Sequence, residues 1–151
     1  MIDYDYPNCL VSIEQAKKLR ELGFEEKCHF FWNFYEDVNK MCCYADINEE
    51  DEDFLFPNEY NYNNKNSSGY HVYLSIPTFE QALKWFREKG FVGVVEYEDF
   101  YSDESTYYYA YRITKTSGEI VFYSPNYRSY ETYEEAREAL INKLIELYGK
   151  E

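Results

Sequence analysis

The stretch Thr78–Phe91, T-F-E-Q-A-L-K-W-F-R-E-K-G-F, narrows the possible folds most, because it reads as an amphipathic helix with both ends marked. Phe79, Ala82, Leu83 and Phe86 recur at helical spacing with Trp85 on their flank, while Lys84, Arg87 and Glu88 fall opposite. Burial of each aromatic contributes ~2 kcal/mol, so Phe79 and Phe86 are the expected anchor of the fold. Pro77 holds Ile76 extended, which ends a preceding strand. Gly90 stands where a left-handed helix stop is expected.

The helix has two relatives in the chain. Ser12-Ile13-Glu14-Gln15-Ala16 opens a segment that closes at Gly23-Phe24, and Thr132-Tyr133-Glu134-Glu135-Ala136 opens the last one. In each, Ser or Thr can accept from a first-turn N–H, and Gln or Glu three residues on can reach back. The acidic residues Glu14, Glu80 and Glu134 complement the positive end of the helix dipole. Capping boxes are common to unrelated helices, so three well-capped helices explain the pattern better than internal duplication does.

Between these helices the chain reads as strands. Lys27–Tyr35 is dense in aromatics, Met41–Ile47 is a second candidate, and Tyr70–Ile76 leads into the anchor helix. Phe91–Tyr97, Thr106–Lys115 and Glu119–Tyr123 follow, the last two as a hairpin around Thr116-Ser117-Gly118. Alternation puts Tyr107, Tyr109, Tyr111 and Ile113 on one face of their strand, and Ile120 and Phe122 opposite Val121 and Tyr123 on the next. The final helix, Thr132–Leu147, carries Tyr133, Ala136, Leu140 and Leu144 on one side. The fold class is α+β: a mostly antiparallel sheet with a C-terminal three-stranded meander, packed with three helices. The expected core includes Leu19, Phe24, Phe31, Tyr73, Phe79, Ala82, Leu83, Phe86, Val92, Val94, Phe122, Ala136, Leu140 and Leu144.

A chain of 151 residues suits one domain. A single cooperative unit over 1–151 is expected, despite the polar stretch 48–68 with its acidic run Glu49–Asp53. Phe54, Leu55 and Phe56 are expected to pin that stretch to the body. No apolar run approaches the roughly 20 residues that cross a bilayer. The first residues lack a signal-peptide pattern. A cytoplasmic protein with no membrane partner is the expectation.

The net charge of −14 opposes binding to duplex nucleic acid, whose phosphates attract the opposite sign. It suits solubility or the steering of a basic partner. Cys9, Cys28, Cys42 and Cys43 show no metal-ligand spacing, so no metal, no cofactor and reduced thiols are expected. Cys28 and His29 are adjacent on a strand and point to opposite faces, which rules out a nucleophile–base pair between them. No nucleophile elbow, P-loop, zinc-protease motif or dinucleotide fingerprint is present. Asp99, Asp103 and Glu104 could pair as acid and base, but loop spacing predicts no geometry.

The order of motifs, S-I-E-Q-A-K-K-L-R-E-L-G-F-E-E-K-C, then P-T-F-E-Q-A-L-K-W-F-R-E-K, then S-Y-E-T-Y-E-E-A-R-E-A-L, resembles a family of small uncharacterised proteins of phages and prophage-like elements in gut anaerobes. The resemblance spans Ser12 to Leu147, and the Asn-rich stretch 48–68 departs from it. It implies an intracellular accessory role and brings no activity, cofactor or site residue.

Nineteen tyrosines are more than a small core can hide. Tyrosine offers contact area at low entropic cost, which favours protein interaction, with a host protein or as a homodimer. A single-stranded nucleic-acid or small-ligand module is the alternative, since aromatics also stack on bases; an enzyme of another type is the third. The expected surface is Tyr107, Tyr109, Tyr111 and Tyr123 with Asp99, Asp103 and Glu104 beside them. The competing expectation is that these tyrosines pack under the last helix.

Overall fold

The computed structural model describes residues 7–34, 39–43, 61–65, 69, 72–98, 108–124 and 130–151. The elements run α1 (Ile13–Glu21), β1 (Phe30–Asn33), β2 (Lys40–Cys43), β3 (Tyr73–Ile76), α2 (Phe79–Glu88), β4 (Phe91–Glu98), β5 (Tyr108–Lys115), β6 (Ile120–Tyr123) and α3 (Tyr133–Gly149). This is the α+β architecture, with two three-stranded antiparallel sheets among the described residues. They fall in two compact units, residues 1–78 and 79–151.

In the first unit the sheet order is β2-β1-β3. α1 starts where its cap dictates: the Gln15 N–H donates to Ser12 Oγ at 3.1 Å, and the Ser12 N–H donates to Gln15 Oε1 at 3.0 Å. It stops where Gly23 takes φ +93°. There the Phe24 N–H reaches the Leu19 carbonyl and the Gly23 N–H that of Arg20, with Leu19 and Phe24 both buried. α1 lies against β3. Leu10 pairs with Thr78, and the Val11 N–H donates to the Pro77 carbonyl at 3.1 Å.

One apolar cluster of this unit is Phe31, Cys42 and Tyr62, with Tyr73 beside them. The rings of Phe31 and Tyr62 stack at 4.1 Å. Tyr62 comes from the polar stretch and is followed by Asn63, whose amide joins two elements. Its Oδ1 accepts from the Ser75 N–H at 3.0 Å, and its Nδ2 donates to the Phe24 carbonyl at 2.8 Å. The Tyr62 N–H donates to Ser75 Oγ at 2.8 Å. Tyr62 and Asn63 are thus the described residues that fasten the stretch; Glu49–Asp53 and Phe54–Phe56 lie outside the described residues.

In the second unit the order is β4-β5-β6, the C-terminal meander. This differs from the first unit, where the strand nearest the helix in sequence is central, and so offers no support for duplication of whole units. α2 packs on β4, and α3 packs on α2, β4 and β5. Phe86 is fully buried, edge-on to Trp85 at 5.1 Å and to Tyr148 at 6.2 Å. Phe79 is buried beneath the Arg137 guanidinium, 3.9 Å from its ring centre.

Two expectations change in this sheet. Val94 is 40% exposed, not core, and Val92 is only half-buried. The residue turned toward α3 is Gly93: a Cβ there would stand 2.8 Å from Leu140 Cδ1 and 3.1 Å from Leu144 Cδ1. The helix leucines occupy the space a side chain would need, so the valines on either side face away. The second change is at β6. The register runs Ile113↔Phe122 and then Thr114↔Ile120, which leaves Val121 as an extra, bulged residue. Ile120 and Phe122 therefore stand beside partners on opposite faces, contrary to the simple alternation. Lys143 of α3 lies 4.5 Å above the Phe122 ring, while Ile120 is 61% exposed.

Candidate binding surface

The second sheet has two unlike faces. Cross-strand partners share a face, so Tyr97↔Tyr109, Val95↔Tyr111 and Gly93↔Ile113↔Phe122 lie on the α3 side. On the other side stand the rows Val92, Thr114 and Ile120; Val94, Arg112 and Tyr123; and Glu96 and Ala110, with the pair Glu98↔Tyr108 next along the strands.

This sorts the tyrosines. Tyr109 is half-buried, 5.5 Å from the Tyr97 ring and 6.1 Å from that of Tyr133 in α3. Tyr111 is buried, stacked on Phe122 at 5.5 Å and 6.0 Å from the Tyr130 ring. Its backbone is closed by a serine: the Tyr111 N–H donates to Ser124 Oγ at 2.9 Å, and the Ser124 N–H donates to the Tyr111 carbonyl at 2.8 Å. Tyr123 is 43% exposed on the opposite face. The structure therefore brings Tyr109 and Tyr111 together and separates Tyr123 from them. Tyr107, Asp99, Asp103 and Glu104 lie outside the described residues.

Burial pushes the Tyr111 hydroxyl up to about 12, helped by the charge and hydrogen bond of Tyr130 and by Glu146. Because the folded value is above the unfolded one, stability from this group is present below the unfolded value of about 10. It is lost as pH rises through the folded value. Absorbance titration is expected to show one tyrosine ionising near pH 12, and Tyr111→Phe to abolish that step and soften the alkaline loss of stability. An unchanged alkaline titration in Tyr111→Phe would contradict the assignment.

The exposed face adds to Tyr123 two residues that the sequence reading had not joined to it, Val94 and Ile120. Val94, Ile120 and Tyr123 occupy two adjacent rows around Arg112. Arg112 donates across to Glu96 at 2.9 Å, with side chains 41% and 28% exposed. Ala110, in the third row, is buried, so the exposed apolar area is confined to the end nearest the Gly118 turn. Exposed apolar residues grouped in this way mark interaction surfaces more often than singly scattered ones do. The bulge at Val121 is the reason simple alternation could not locate the group.

Among the described residues no group of three or more His, Cys, Asp and Glu is placed to hold a metal ion. Of the four cysteines, Cys9 is exposed, Cys28 and Cys42 are buried and Cys43 lies between. His29 packs edge-on to Phe30 at 4.9 Å. Among the described residues no helix is long and apolar enough to cross a membrane. No protein-family model, curated protein or solved structure matches this chain.

Proposed function

We propose that this chain is a non-enzymatic interaction protein, of the accessory kind implied by the resemblance to phage-borne proteins, and that it binds a protein through the face of β4–β6 turned away from α3. The observation that carries this reading is the grouping of Val94, Ile120 and Tyr123 in two adjacent rows, each of the three at least 40% exposed. A valine, an isoleucine and a tyrosine around an arginine supply the apolar contact area and polar tips from which interface centres are built. The charge of −14 supplies long-range steering that falls with salt.

The test is Ile120→Asp. The side chain is exposed, so stability is expected to change by less than about 1 kcal/mol, as for other surface substitutions. Association with the protein's partner, read by retention on the immobilised chain, is expected to be lost. Retention that survives Ile120→Asp at unchanged stability would refute the assignment of this face.

A further inference from the structure

The first sheet carries a surface of another kind. Phe31 and Asn33 of β1 are buried on one face, and Phe30 and Trp32 are half-buried on the other. Phe34 extends that second row, since its N–H donates to the Val72 carbonyl at 3.2 Å and continues the ladder. The row is three rings, each half-buried, with successive Cα atoms about 7 Å apart. The Trp32 Nε1–H donates to Asn39 Oδ1 at 3.2 Å, which holds the indole in place. α1 brings positive charge to this face. Lys17 Nζ lies 5.7 Å from the centre of the Phe34 ring. Arg20 stands three residues on, along the same flank of the helix. Among the described residues, neither cation has a carboxylate or a hydrogen-bond partner. This is not for want of acids, which outnumber basic residues 29 to 15 in the chain. Arg20 Nη1 is buried with no acceptor, a costly state for a charged group. Arg20 as a whole is only half-buried, so an anion can approach it from solvent.

We infer that Lys17 and Arg20, with the row Phe30, Trp32 and Phe34, form a site for a small planar anion: a nucleoside monophosphate whose base stacks on Trp32 and whose phosphate is held by the two cations. Lysine and arginine give charge-assisted hydrogen bonds to phosphate, the arginine as a fork. An aromatic side chain offers a face on which any base stacks. One step of the row, about 7 Å, separates Trp32 from Phe34, where Lys17 sits. That separation is comparable to the one between base and phosphate in a mononucleotide. The charge of −14 selects the small ligand over a polymer. One phosphate meets these two cations alone, whereas each further phosphate of a strand would lie along an acidic protein that repels it. The site lies in the first unit and is independent of the protein-binding face proposed for the second sheet.

Equilibrium dialysis of the full chain against adenosine 5′-monophosphate, with tryptophan fluorescence recorded in parallel, tests this. Saturable binding is expected with a Kd below about 1 mM, together with quenching of Trp32. Lys17→Gln and Arg20→Gln are each expected to weaken binding about tenfold, through loss of hydrogen bonds to a charged group. Trp32→Ala is expected to weaken it by about the same factor, through loss of stacking. Adenosine, which lacks the phosphate, is expected to bind at least about tenfold more weakly than the nucleotide. Circular dichroism establishes that each variant folds. If Trp32→Ala does not, Trp32→Phe takes its place: it keeps a ring, so binding is expected to persist while the quenching is lost. Four outcomes would overturn the inference. They are no saturable binding up to about 10 mM nucleotide, adenosine held as tightly as its phosphate, undiminished binding in the folded Lys17 and Arg20 variants, or binding of an oligothymidylate by a chain that ignores the mononucleotide. The last would make the row a platform for single strands and remove the small ligand.

Discussion

Phe86→Ala is expected to lower the unfolding free energy by about 3–5 kcal/mol, the cost of deleting a large buried aromatic. Phe86 is fully buried in α2, with Trp85 and Tyr148 set edge-on around it. Trp85 is itself held by Tyr148 at 5.3 Å, and Tyr148 stands 6.3 Å from Phe91. Flat rings locked against one another collapse poorly into a void, so most of the cavity should persist. Urea unfolding of the variant measures the loss. A value below about 1 kcal/mol, typical of surface positions, would mean that α2 is not the anchor of its unit.

Asn63→Ala is expected to cost roughly 2–6 kcal/mol, because it strands two buried backbone groups and each such group costs about 1–3 kcal/mol. The Ser75 N–H loses its acceptor and the Phe24 carbonyl loses its donor. Neither Ser75 nor Phe24 is open to water. Asn63→Asp separates the two roles, since a carboxylate can still accept from Ser75 but cannot donate to Phe24. The expected order of stability is wild type first, then both variants well below it. Amide exchange at Ser75 should accelerate in Asn63→Ala and much less in Asn63→Asp. Equal protection of that amide in all three proteins would remove Asn63 from its bridging role.

The parts of this fold legible in the sequence are those set by neighbours along the chain. Ser12 and Gln15 lie three residues apart, and their reciprocal hydrogen bonds depend on little else. Gly23 and Gly90 take φ near +95°, where glycine alone is unstrained, and both had been readable as helix stops. Phe79 and Phe86 declare their burial by spacing within one helix. The meander was legible because Gly118 and the alternating tyrosines mark a hairpin.

Other features depend on residues far away in sequence. Asn63 is one of several asparagines in a polar stretch, and only its meeting with Phe24, 39 residues earlier, makes it structural. Val94 has the composition of a core residue, yet its outward face follows from Leu140 and Leu144, which have no sequence proximity to it. Tyr123 and Ile120 share the exposed face only because a single bulged residue, Val121, shifts the register between them. The bulge carries no glycine or other local signal, so alternation alone assigned Ile120 and Phe122 to one side.

Gly93 has a mechanical consequence for α3. The row beneath the helix runs Gly93, Ile113, Phe122, and so grows in bulk from the β4 edge to the β6 edge. Such a row is a wedge: Leu140 and Leu144 sink at its thin end, and Lys143 rides over the phenyl ring at its thick end. The tilt of α3 over the sheet is then set by the difference in size between positions 93 and 122, not by either alone. Enlarging the first while trimming the second would re-level the helix, so these two positions, on strands that do not touch, are coupled through the element lying across both.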